Sequence, residues 1–436
     1  MTGVIAAVLL VGPGAIGPLH VPPARCLLAG RASLLHSGFA WAQEPSGSTA
    51  AMREKVYEKL SWAQRAAESK KYSDALEALQ VVEKMKDLDA YEKAQLYTAF
   101  GYVYFLQEMY NESIGAYEKV LQQEQLPQAL QATTLYTIAQ LQLHAEHYAD
   151  AISYLERWLA SAPNPGAEPF LLLAQAYYQL GKFRDATGPA ERAITTARQQ
   201  GQSIPESWYA LQRALYYELQ DYPKLLEVLE KLVSAFPRQE YWTHLAATYG
   251  ELEDEKRQFA TYDIAYRLGY LESEQELLLY SQLLLRAEIP YRAGVVLEKG
   301  FAAGVVEGSA ENYRLLSQAW MLAHENTKAI QALTKAAALS TDGELDARLA
   351  QSHASLDQWE QAIESARSAL HKGVHDEGDM QILIGNAYFE LQRFDEAKAA
   401  FQAARQSPGI RETAARWISY IEDEEARLRS LQVTPQ

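Results

Sequence analysis

The residues whose spacing could support chemistry are few. His144 and His147 lie three apart with Glu146 between them, and His371 and His375 lie four apart just before Asp376, Glu377 and Asp379. Helical spacings of three or four can aim two imidazoles at one zinc ion. Both sets fall at turns between helical stretches, however, and Gly373 interrupts the helix that would align the second pair. Polar turn residues are the simpler reading, and no metal is expected. The only cysteine is Cys26, so beyond it disulfides, thiolate zinc sites and cysteine nucleophiles are excluded. No glycine-rich phosphate loop, Gly-x-Ser-x-Gly elbow or His-Glu-x-x-His helix occurs. The expectation is a non-enzyme without cofactor; an enzymatic alternative would need a site with no readable motif.

The elements that would position any binding residues are helical and repeat. The 436 residues carry a formal charge of −16, which falls by two to −18 without residues 1–42, whose only charges are Arg25 and Arg31. Such a chain is a poor partner for nucleic acid and favours neutral or basic partners. Beyond residue 42 no stretch approaches the ~20 apolar residues that a membrane-spanning helix needs. Residues 1–42 contain no Asp or Glu, are rich in Ala, Leu, Gly and Pro, and end in Phe39-Ala40-Trp41-Ala42. They read as an irregular signal peptide cleaved near Ala42, which places the protein in the periplasm. The rival reading is an unstructured cytosolic leader. A short linker, 43–51, follows.

From residue 52 to 409 pairs of amphipathic helices recur. The residue opening each second helix is Ala75, Ser113, Ala151, Ala186, Lys224, Gln258, Ala293, Ala329, Ala362 and Ala397, at intervals of 33 to 38. Twelve residues before each stands a small or polar residue that follows a large one: Ala63, Gly101, Ala139, Ala174, Gln212, Ala246, Ser281, Ser317, Ala350 and Gly385. Gln212 departs most from that rule, and an extra residue near Tyr222-Pro223 shifts the second helix of its unit. Trp62, Trp158, Trp208, Trp242, Trp320 and Trp359 fall where such repeats pack large side chains. A last helix, 410–431, sets Ala414, Trp417, Ile418, Ile421 and Leu428 on one face and charged residues, with the solvated run Glu422 to Glu425, on the other. It suits a terminal cap, because an unpaired last repeat would expose its apolar side. Residues 432–436 form a tail.

Gly385-Asn386-Ala387-Tyr388 through Arg393-Phe394-Asp395-Glu396-Ala397 to Phe401, with Gly101-Tyr102-Val103-Tyr104, resemble the tetratricopeptide repeat (TPR) family. The resemblance implies an all-α, right-handed superhelical solenoid of about ten helix-turn-helix repeats with a C-terminal capping helix. It also implies that the first helices line a concave groove through their second, fifth, ninth, twelfth and thirteenth positions. The ninth position then reads Gln64, Tyr102, Gln140, Gln175, Arg213, Ala247, Gln282, Gln318, Gln351 and Asn386. A ladder of amides can bond an extended peptide backbone without demanding a side-chain sequence. Gln is also simply a good exposed helix former. The family's carboxylate-clamp lysine is absent, with Ile382 in its place. Phe105, Leu106, Tyr178, Tyr216 and Tyr217, joined by Tyr136 and Tyr209, would make the groove aromatic and suited to proline-rich segments, or they would pack between helices. Six units have an acid at the second position, Glu168, Glu206, Glu240, Glu311, Glu344 and Asp379; helix dipoles favour acids there with or without a ligand.

The leader, the ten units and the tail Ala414-Ala415-Arg416-Trp417-Ile418-Ser419-Tyr420-Ile421 are also similar to periplasmic TPR proteins associated with TonB/ExbB/ExbD energy-transduction systems. That likeness implies a non-catalytic adaptor that binds a basic, proline-rich TonB-type segment or ExbB/ExbD. An adaptor for outer-membrane protein or peptidoglycan assembly is the alternative.

Overall fold

The computed structural model describes residues 52–432, with side chains to residue 428. The expected leader, its cleavage site, the linker and residues 433–436 lie outside the described residues. Among the described residues there are 21 helices and no strand, and no helix long and apolar enough to cross a membrane. The fold is the all-α array of helix pairs expected. Two compact units meet in sequence at Asp254 and Glu255.

The first unit contains the pairs α1 (Glu54–Glu68) and α2 (Tyr72–Glu83), α3 (Ala90–Leu106) and α4 (Tyr110–Leu121), α5 (Gln128–His144) and α6 (Tyr148–Ser161), α7 (Ala167–Gln179) and α8 (Phe183–Gln199), and α9 (Glu206–Glu218) and α10 (Tyr222–Ala235), then α11 (Gln239–Glu251). The second opens with α12 (Glu255–Arg267) and continues with α13 (Glu274–Arg286) and α14 (Pro290–Ala302), α15 (Ala310–Leu322) and α16 (Asn326–Leu339), α17 (Glu344–Ala354) and α18 (Trp359–Lys372), and α19 (Glu377–Glu390) and α20 (Phe394–Ala404). The last helix is α21 (Arg411–Gln432).

Each first helix ends in the same way. Lys70, Glu108, Glu146, Gly181, Gln220, Glu253, Glu288, His324, Asp357 and Gln392 all have positive φ, between 54° and 69°. The next amide reaches back five residues, as from Lys71 to Ala66 at 2.9 Å and from Arg393 to Tyr388 at 2.8 Å. This Schellman turn satisfies carbonyls that the helix end would orphan and reverses the chain within three residues. The second helix begins two residues after the left-handed residue, at Tyr72, Tyr110, Tyr148 and so on to Phe394. Three residues further on is a packed position, buried in nine of the ten pairs, and in many of them the residues three, four and seven beyond it are buried too: Ala75, Ala78, Leu79 and Val82 in α2, and Ala329, Ala332, Leu333 and Ala336 in α16.

These turns correct the expected register of the fifth pair. Gln220 is the left-handed residue there, so the packed position is Leu225, with Val228, Leu229 and Leu232 buried after it, and Lys224 is exposed. In every other pair the small residue stands seven before the turn; here that residue is Arg213, not Gln212. The extra residue therefore precedes α9 instead of lying near Pro223, and both helices carry the shift together.

The small position serves a close approach. A β-carbon on Gly101 would stand 2.5 Å from the ring of Tyr117, and one on Gly385 would stand 2.7 Å from the ring of Phe401. Both aromatic rings lie on the second helix of the same pair, four residues past its packed position.

Trp62 also differs from expectation. It is 46% exposed, whereas Phe100, at the same place in the next pair, is 7% exposed and packs among Leu79, Val82 and other residues of the preceding pair. Trp62 has no preceding pair among the described residues to cover it. Trp320 is fully buried, and Trp158, Trp208, Trp242 and Trp359 are half-buried.

Successive repeats are joined by polar bonds that hydrophobic periodicity does not reveal. The residue five past the packed position is Glu118, Glu156, Glu191, Glu230, Asp263 and Arg367 in six pairs. Tyrosine hydroxyls from the next repeat donate to the acids: Tyr154 to Glu118 at 2.9 Å, Tyr177 to Glu156 at 2.7 Å, Tyr216 to Glu191 at 2.7 Å, Tyr249 to Glu230 at 2.9 Å and Tyr280 to Asp263 at 2.6 Å. At Arg367 the polarity reverses, and the guanidinium donates to Tyr388 at 2.6 Å. Lys224 adds a 2.9 Å ion pair to Glu191, and Arg292 pairs with Asp263.

In α21, Ala414 and Ile421 are fully buried. Trp417 lies parallel to Phe401 with ring centroids 5.4 Å apart, and Phe389 is 5.7 Å away. Glu425, expected in a solvated run, instead accepts from Lys398 on α20 at 2.9 Å.

Candidate peptide-binding face

The first helices of successive pairs touch one another, α1 with α3, α7 with α9 and α17 with α19. Residues repeated along each touching pair of first helices therefore share a face. In the second unit the ninth position carries Gln282, half-buried, then Gln318 and Gln351, both exposed, then Asn386. Among the described residues the Asn386 Oδ1 is closed to solvent and receives no hydrogen bond. A buried acceptor without a donor costs about 1–3 kcal/mol, and it is a place where a bound amide N–H gains more than it would in water.

In the first unit Gln140 is half-buried and Gln175 is buried. Arg213 and Tyr216 are buried as well, as the shifted register requires, since they occupy the eighth and eleventh positions. Tyr216 is engaged by Glu191. The Arg213 Nη1 is 3.1 Å from His244 Nδ1, and the guanidinium lies over the ring of Tyr241 at 5.0 Å. Burial, aided by that neighbouring cation, lowers His244 to about 4, so the imidazole is neutral and accepts from the arginine. Neither Arg213 nor Tyr216 lies on an exposed lining. Tyr217 takes the twelfth position, which Tyr178 and Phe105 hold in their own units, and all three are half-buried. Tyr178 packs on Phe183 with centroids 5.2 Å apart, and Tyr209 is buried, accepting from Arg198.

The acidic row divides into two kinds. Glu206 accepts from Arg238 at 2.7 Å and from the hydroxyl of Tyr241, and Glu344 accepts from the backbone of His375 at 2.9 Å. Outside that row, Glu274 bonds Glu307 N–H at 2.9 Å and the side chain of Asn312 at 2.8 Å. These carboxylates tie the start of one first helix to the approach of the next. Glu311 pairs with nearby Arg314, and Asp379 is exposed. Glu168 is half-buried and has no such tie among the described residues.

The histidine pairs do not converge. His144 stacks on Tyr110 at 5.7 Å, His147 bonds Gln142, and His375 is held by Glu344. Among the described residues no three His, Cys, Asp or Glu side chains gather as a metal ion would require.

Residues 378–404 match the family model of the tetratricopeptide repeat. The match covers the tenth pair, from the start of α19 to the end of α20, and the other tetratricopeptide-like pairs share its turn and packing. Solved structures align over long stretches at low identity. A tetratricopeptide repeat protein from Parabacteroides merdae ATCC 43184 is 16% identical over 66% of this chain and 94% of its own, with a TM-score of 0.35. The TPR2AB domain of yeast Sti1, solved in complex with pHSP90, is 16% identical over 59% and 98%, with a TM-score of 0.34. MamA from Desulfovibrio magneticus RS-1 is 18% identical over 42% and 96%, with a TM-score of 0.34. Likenesses at this level say nothing of partner or activity. The tetratricopeptide match supports a protein-interaction scaffold.

Proposed function

We propose that this protein is a non-catalytic, exported adaptor that holds a peptide segment of a partner along its first-helix face, in the periplasm and within a TonB-type energy-transduction system. The observation that carries the reading is the run of amides on the second unit, Gln282, Gln318, Gln351 and Asn386, of which Gln318 and Gln351 are exposed and the Asn386 Oδ1 receives no hydrogen bond from any described residue. The formal charge of −16 favours a basic, proline-rich client such as a TonB segment, or ExbB/ExbD, through long-range attraction.

Exposed Met321 and Leu322, on the same helix as Gln318, favour a second reading in which the client is apolar and belongs to outer-membrane or peptidoglycan assembly. Affinity capture from a solubilised envelope with the full chain as bait separates the two. Recovery of TonB or ExbB components that are lost as salt rises supports the first, and recovery of assembly factors that resist salt supports the second. Replacing Gln318, Gln351 and Asn386 together by Ala is expected to weaken capture without unfolding the array. Unchanged capture by the folded triple variant refutes the amide assignment.

A further inference from the structure

Three aromatic rings gather where α21 meets the tenth pair, and one of them is more than a cap needs. The helix closes the pair through Ala414 and Ile421, both fully buried, and through Trp417, stacked on Phe401. Tyr420 is 53% exposed, the one large hydrophobic side chain of α21 left open among the described residues. Its ring centroid stands 5.7 Å from that of Phe389 and 5.8 Å from that of Trp417, and Phe389 and Trp417 are themselves 5.7 Å apart. The three planes are inclined to one another by 51°, 86° and 59°, so the rings touch without stacking and leave notches between their faces.

The triad adjoins the amide run. Phe389 is half-buried three residues beyond Asn386, about one turn along α19, at the twelfth position that Phe105, Tyr178 and Tyr217 hold in their own units. A second copy of the chain is a poor occupant: a stable interface buries roughly 1,200 Å² or more, whereas here one open ring is bordered by exposed Glu412, Arg416, Glu422 and Asp423. Ring faces also attract cations, but the half-buried carboxylates that follow on α21 are already paired. Glu424 accepts from Arg427 at 2.8 and 2.6 Å, and Glu425 accepts from Lys398 at 2.9 Å, so neither adds an unpaired, desolvated charge to draw an ammonium. Tilted rings in contact, without such a charge, suit a small, rigid, neutral ring. Proline supplies one, and a proline-rich segment arrives already extended, with little conformational freedom left to lose.

We infer that Phe389, Trp417 and Tyr420 form a subsite for a proline ring of the segment bound on the first-helix face. This rests on the peptide-binding reading above and adds to it which residue type is recognised and where on the second unit.

The test uses three synthetic peptides, (Pro-Gln)4, (Ala-Gln)4 and (Lys-Gln)4, titrated into the full chain by calorimetry at fixed salt. The wild type is expected to bind the proline peptide roughly three- to tenfold more tightly than the alanine peptide. Tyr420→Ala is expected to abolish that preference, Tyr420→Phe to keep it because the ring remains, and Tyr291→Ala, which removes an equally exposed ring from the second helix α14, to keep it as well. A preference retained by Tyr420→Ala, or lost in either of the other variants, overturns the subsite. A lysine peptide that binds more tightly than the proline peptide and depends on Tyr420 overturns it in favour of a cation. Equal binding of proline and alanine peptides by the wild type overturns the subsite and leaves the peptide face standing, and failure of all three peptides to bind overturns both. Because Tyr420 is more than half exposed, Tyr420→Ala is expected to melt close to the parent, and the Tyr420→Phe variant tests the ring with the packing intact.

Discussion

At Gly385 the β-carbon that any other residue would bring stands 2.7 Å from Phe401, a fully buried ring that is stacked in turn on Trp417. Gly385→Ala is therefore expected to lose about 1–3 kcal/mol, the usual cost of overpacking a filled core, measurable as a lowered urea midpoint. The Gly-Asn-Ala-Tyr motif made this position legible in the sequence, because a small residue recurs there and a large aromatic recurs on the facing helix. The tyrosine–carboxylate bonds were not legible, since tyrosines at helical spacing read equally as core or as groove. The acids at a constant five residues past the packed position were the available signal. Glu206 and Glu344 were visible only as two of six acids; which of the six the following repeat ties down depends on distances that spacing does not give.

The helix pair owes its shape to its turn, and nine of the ten turns place a side-chain-bearing residue at positive φ. Left-handed backbone costs such residues roughly 1 kcal/mol or more relative to glycine, offset in part by the extra freedom of glycine in the unfolded chain. Glu108→Gly, at a turn with φ of 60°, is accordingly expected to raise stability by up to about 1 kcal/mol, which thermal melting would register. The cap offers the opposite case. Trp417→Ala removes the ring stacked on Phe401 and touching Phe389 and is expected to cost up to about 3 kcal/mol; an unaltered melting temperature would refute its capping role. Helices and most boundaries followed from apolar periodicity. The fifth pair did not, because Arg213 stands where other repeats place a small residue, and Tyr222, which opens α10 as tyrosines open α2, α4 and α6, was the better landmark.

Across the molecule, stability must respond to acid. The Arg53 side chain bonded to Glu92 holds that carboxyl low, and Tyr216 and Lys224 do the same for Glu191. Burial pushes Asp263 up, but the bonds from Tyr280 and Arg292 outweigh it. Carboxyls depressed in the folded chain add stability that is complete above their unfolded values and is lost as pH falls through the folded ones. The urea midpoint should therefore hold near neutrality and drop steeply toward about pH 3. Glu92→Gln should flatten that drop while lowering the neutral midpoint.

The bonds between repeats carry one more consequence. Five of the acids that stand five past a packed position meet a tyrosine of the next repeat, and a hydroxyl both donates and accepts, so the joint closes with a carboxylate, as at Glu156 and Glu191, and equally with a guanidinium, as at Arg367. Removing the fourth repeat whole would bring Glu156 opposite Tyr216, the donor that Glu191 uses now. A lineage can thus lengthen or shorten such an array by duplicating or dropping complete modules, and the new neighbours find a compatible coupling without a compensating mutation.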